Sequence, residues 1–118
     1  MAITNVTNAK LSFNTAGNVP AAVAVDASAG ARIDFSGKED ARILVLLENA
    51  AGAAKTATVK AGGGIQGVSD LSVPLSANAK LAIVLESGAY VQTEGDNKGH
   101  VVVTGSDANV KVAAIELP

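Results

Sequence analysis

The chain contains no cysteine and no tryptophan, and it has a single histidine. Without thiolates there is no disulfide framework and no cysteine-ligated zinc site. With His100 as the sole imidazole, a nucleophile–base pair or a histidine metal site would have to be built on that one residue. No serine lies in a G-x-S-x-G elbow. Aromatic residues are 3% of the chain, namely Phe13, Phe35 and Tyr90. That leaves few platforms on which a sugar or base could stack. Nine basic residues are scattered among eleven acidic ones, for a net charge of -2 and a pI near 5.2. A nucleic-acid partner is not expected, because phosphate neutralisation calls for a clustered basic surface. No apolar run approaches the ~20 residues needed to span a bilayer, so no membrane association is expected. The opening Met-Ala-Ile-Thr-Asn lacks the charged and apolar regions of a signal peptide, and synthesis in the cytoplasm follows as an expectation.

What the chain has in quantity is aliphatic residue, with hydrophobic positions making up 48% of its 118 residues. This is the length of one domain with a genuine core. The densest apolar run, Arg-Ile-Leu-Val-Leu-Leu-Glu at 42–48, is bounded by turn residues at 37–40 and 49–52. Its length and flanks predict a central strand buried on both faces. Residues 21–26 and 31–35 read as a hairpin across small turn residues. Residues 55–60 alternate Thr56, Thr58 and Lys60 with Ala57 and Val59, the pattern of a strand with one wet face. Leu71, Val73 and Leu75 mark a further strand, which Pro74 places at an edge or bulge. Lys-Leu-Ala-Ile-Val-Leu-Glu at 80–86 echoes the first run and reads as a second buried strand. Residues 90–93 and 100–104 form a hairpin across Glu-Gly-Asp-Asn-Lys-Gly. Residues 110–117 close the chain, with Val110, Val112, Ala114 and Leu117 as core candidates. The expected fold is all-β: an antiparallel β-sandwich, jelly-roll or immunoglobulin-like, of about eight or nine short strands. Residues 19–118 form the sandwich domain. Residues 1–18 are either a first strand with a loop or an arm that orders by adding a strand to a partner.

The motifs that suggest chemistry weaken in context. Gly62-Gly63-Gly64-Ile65-Gln66-Gly67 satisfies G-x-G-x-x-G, and Glu86 follows at the distance of a ribose contact. The helix that should come next is replaced by a period-two segment containing Pro74, so no helix dipole or row of free amides meets a phosphate. A flexible inter-strand loop, or a partner-contact loop, accounts for it better. Glu94, Asp96 and Asn97 near His100 lack the spacing of a calcium loop and read as a solvated hairpin tip. Glu48 and Glu86 end the two apolar runs. They could be offered as a glycosidase pair, but the cleft would lack its aromatic lining, and both read as points where strands emerge into water. Asn5-Val6-Thr7 matches a glycosylation acceptor without a secretion signal to support it. No catalytic residue, cofactor or metal is expected.

The second half of the chain carries a resemblance. Ile-Leu-Val-Leu-Leu-Glu-Asn at 43–49, Thr-Ala-Thr-Val-Lys-Ala-Gly at 56–62, residues 81–88 and Lys-Val-Ala-Ala-Ile-Glu-Leu-Pro at 111–118 occur in that order. This resembles small β-sandwich structural proteins of tailed bacteriophages and prophages, most of all the capsid decoration proteins. The resemblance implies a non-enzymatic virion protein on the outer head surface, made in the bacterial host. Its implied partner is the major capsid protein, and its implied assembly a homo-oligomer, with a trimer favoured. The corresponding partner contacts would be Ile3, Val6, Leu11 and Phe13 in the N-terminal segment and Gly63, Gly64, Ile65 and Gln66 in the glycine loop. A carbohydrate- or protein-binding module of a tail, fibre or secreted protein is the alternative.

Overall fold

The computed structural model describes residues 2–37, 42–62, 69–85 and 89–118. These form ten β-strands and no α-helix: β1 (Thr4–Val6), β2 (Ala9–Lys10), β3 (Val23–Ala24), β4 (Ala31–Asp34), β5 (Ile43–Asn49), β6 (Lys55–Val59), β7 (Leu71–Leu75), β8 (Lys80–Val84), β9 (His100–Gly105) and β10 (Val110–Glu116). One sheet has the order β1-β4-β9-β6-β7; the other is β2-β10-β5-β8, with β3 also on β10. The expected all-β class is therefore observed. The sheets are mixed, however, because β1 runs parallel to β4 and β2 parallel to β10. The parallel pairs follow from the path of residues 4–10, which touch the first sheet and then cross to the second. Asn8 ties the crossover down: its Nδ2 donates to the Asp34 carbonyl at 3.0 Å and to Glu116 Oε2 at 2.9 Å.

The two sheets face each other across an aliphatic core. Period-two alternation puts Ile43, Val45 and Leu47 of β5 into it, with Val110, Val112 and Ala114 of β10 beside them. The first sheet answers with Ile33, Ala57, Val59, Val101 and Val103. Tight turns aim these strands. After β3, Asp26 Oδ2 accepts the amides of Ser28 and Ala29, and Gly30 takes φ of 82°. That turn sends the chain from one sheet to the other.

Several expectations change here. Residues 21–26 and 31–35 are not a paired hairpin; β3 joins β10, while β4 joins β1 and β9, and only the bridge Asp26–Gly30 links them. The run at 42–48 is the central strand of its sheet, but only one face is fully buried; Leu44, Leu46 and Glu48 on the other face are half-buried. The run at 80–86 is not a buried strand. Among the described residues β8 is an edge, with Leu81 43% and Val84 47% exposed, although Leu85 is buried. An apolar run records the capacity for burial, and the number of neighbouring strands decides whether burial occurs. Residues 90–93 contribute a single bridge, Val91–Val101, in place of a strand. Leu117 is 39% exposed, outside the core that Val110, Val112 and Ala114 enter. Pro74 does mark an edge strand, since among the described residues β7 pairs only with β6.

Candidate functional site

Directly paired residues in neighbouring strands project to the same side of a sheet. The register therefore writes out the outer face of the second sheet row by row. Ile115, Leu44 and Val84 form one row, and Ala113, Leu46 and Ala82 the next. Lys111, Glu48 and Lys80 form the third. The face is thus apolar for two rows and charged at one end. Residues 11–22 leave β2, travel beside this face and return as β3. Ala113, which lines a groove together with residues 19–22, and Ile115 are 2% and 8% exposed although alternation along β10 points them away from the core.

Between this segment and the sheet lies an open groove of about 490 Å³. Val19, Pro20, Ala21 and Ala22 form its wall; Leu46, Ala82 and Ala113 contribute to its floor. Glu48, Lys80 and Lys111 stand at its charged end, with Lys80 Nζ 3.8 Å from Glu48 Oε1. At that distance and exposure the pair contributes little to stability. Two large apolar side chains on this segment face solvent, Phe13 at 75% and Val19 at 78% exposed. Chemically, this arrangement can bury apolar surface and orient a partner by charge.

The N-terminal partner-contact candidates fare differently from one another. Val6 is buried in the core, Ile3 and Leu11 are half-buried, and Leu11 donates its amide to the Glu116 carbonyl. Phe13 alone of the four is well exposed. Gly63, Gly64, Ile65 and Gln66 lie outside the described residues, as does Glu86. The base of that loop is visible: Asp70 Oδ1 accepts the Ala61 amide at 2.7 Å and Oδ2 pairs with Lys60 Nζ at 2.8 Å. The amide bond first and the lysine second hold the Asp70 carboxyl below its usual pKa. Gly62, the first glycine of the motif, is pressed against the chain, since a Cβ there would collide with the carbonyl oxygens of Val91 and Ala89.

His100 opens β9 half-buried, with Nδ1 3.2 Å from the Lys98 carbonyl. Glu94 and Asp96 are exposed at the adjacent tip. The tip is fastened by Arg32, whose Nη1 donates to the Asp96 carbonyl and Asn97 Oδ1, each at 3.1 Å. Its Nε donates to Asn5 Oδ1 at 2.6 Å. Among the described residues no three His, Asp or Glu side chains form a group that could hold a metal ion.

Sequence reasoning missed two features. The groove arises from residues near positions 20, 46, 82 and 113, which no local pattern links. Asn49 looked like a turn residue but is buried, 1% exposed, at the end of β5. Its Nδ2 donates to the carbonyls of Ala53, Leu75 and Ser76. Its Oδ1 accepts the Ala51 amide. The position after a long apolar run was the only hint. No protein-family model matches this chain, and neither a curated protein nor a solved structure is similar enough to register as a match.

Proposed function

We propose that this is a non-enzymatic structural protein of a phage virion, which binds the outer surface of the head and stabilises the capsid lattice. The observation that carries the reading is the surface just described: an apolar groove with a charged end, walled in part by exposed Val19, with exposed Phe13 on the same chain segment. Such a surface suits docking onto another protein. The resemblance of the second half to capsid decoration proteins supplies the identity of the partner, the major capsid protein. On this reading the two packed sheets are a β-sandwich of immunoglobulin-like or jelly-roll type. The protein assembles as a homo-oligomer, and the resemblance favours a trimer. It acts on the virion after synthesis in the host cytoplasm.

The test is co-sedimentation of purified protein with intact and DNA-free heads of the source phage. Saturable binding at a fixed ratio to the capsid subunit is the expected result; a well-folded protein that does not bind refutes decoration. The groove also favours a second reading, a binding module of a tail, fibre or secreted protein. Among the described residues its walls and floor contain no aromatic ring, so a protein ligand suits it better than a sugar.

A further inference from the structure

The three charged residues at the end of the groove do not balance. Glu48 on β5 lies between Lys111 on β10 and Lys80 on β8 in the register. Its contact with Lys80 Nζ is 3.8 Å long, and the Lys80 side chain is 78% exposed. Lys111 is half-buried, and among the described residues its ammonium makes no ion pair or hydrogen bond. The end therefore carries one spare cation. A second observation concerns the wall. Among the described residues the backbone amides and carbonyls of residues 16–22 make no hydrogen bond. Residues 19–22 lead into β3, which lies antiparallel on β10, so a segment following this wall runs along the strands of the floor. Side chains on one face of an extended segment recur about every 7 Å. The charged row and the row of Ala113, Leu46 and Ala82 are two residues apart on every strand, which is the same interval.

We propose that the groove takes an extended segment of a partner protein that carries an aspartate or glutamate and, two residues away, an aliphatic side chain. The carboxylate meets Lys111 and the aliphatic group covers Leu46 and Ala82. The backbone of the segment pairs with that of the wall, as in strand addition. A fatty acid would match the charge and the floor but would leave the backbone groups of the wall unused. This inference rests on the reading of the groove as a protein-docking surface, and it holds whichever protein supplies the segment.

Selection of a random decapeptide display library against the purified protein tests it without heads. Enriched sequences are expected to contain the acid–x–aliphatic spacing, in either direction. As C-terminally amidated synthetic peptides, in which only a side chain supplies the anion, they are expected to shift the amide NMR signals of Ala22, Leu46, Ala82 and Lys111. Lys111→Met keeps the apolar stem, removes the charge and should weaken such a peptide about tenfold at low salt. Glu48→Gln removes the competing anion and should tighten it. The inference is overturned if no peptide is enriched, if the enriched peptides lack an acid or need a free C-terminus, or if their shifts fall elsewhere. It is overturned equally if the two variants do not move the affinity in opposite directions. Co-sedimentation separates it from decoration. Heads that bind the unaltered protein and Lys111→Met equally leave decoration standing and remove this chemistry from it. An acidic peptide motif found for a protein that binds no heads keeps the groove and removes decoration.

Discussion

Replacing Asn49 by alanine should destabilise the protein more than any other single polar truncation among the described residues. The side chain clamps the turn after β5 against the turn between β7 and β8, making four hydrogen bonds at 2.9–3.2 Å from a position 1% exposed. The two amide hydrogens are shared among three carbonyls and the oxygen accepts one amide, so at about 1 kcal/mol net for each full bond the loss approaches about 3 kcal/mol. The Leu75 carbonyl keeps its ladder bond to β6, because Leu75 pairs with Lys55, so only a second lone pair is orphaned there. A loss of about 3 kcal/mol is therefore expected. For 118 residues the unfolding entropy is about 0.25 kcal/mol/K, so Tm should fall by about 12 °C. Asn49→Asp should be worse at neutral pH, since it turns the donor that faces three carbonyls into a buried anion. Thermal and urea denaturation of the two variants read this directly, with the urea m-value unchanged. A loss below about 1 kcal/mol for alanine, or aspartate outlasting alanine at pH 7, would refute the clamp.

Other outcomes follow from the same geometry. The Asp26, Asp70 and Asp107 carboxyls are all held below the ordinary pKa: Asp26 by the amides of Ala29 and Ser28, Asp70 by the Ala61 amide and Lys60, Asp107 by Lys55 and the Asn109 amide. A depressed carboxyl contributes stability that is complete above its unfolded pKa and is lost as pH falls through the folded value. Tm should therefore decline as pH drops below about 4, and the triple Asp→Asn variant should show a flatter Tm–pH curve. Gly62→Ala should cost about 1–3 kcal/mol by overpacking against the carbonyls of Val91 and Ala89; a neutral effect in urea denaturation would refute that close approach. Phe13→Asp should leave stability within about 0.5 kcal/mol and abolish head binding, with co-sedimentation as the assay. Deletion of residues 2–13 is a poor substitute, because it removes β1, β2 and the Val6 core contact.

The sequence by itself determined the class of the fold and the composition of its core. Period-two alternation in residues 55–60 and 110–116 was enough to say which side chains turn inward, because the pleat sends successive residues to opposite faces. Pro74 was enough to mark an edge, because a missing amide is a local property. Only the tertiary structure decided which strands lie next to each other. Nearly identical apolar runs became the centre of a sheet at 43–49 and its edge at 80–84, because burial depends on neighbours that the run does not encode. The hairpin expected at 21–35 separated for the same reason: β3 lies on β10 through two residue pairs, while β4 lies between β1 and β9 in the other sheet. The groove, the Asn49 clamp and the Arg32 staple each join residues far apart in the chain. Their geometry exists only once the two sheets have closed.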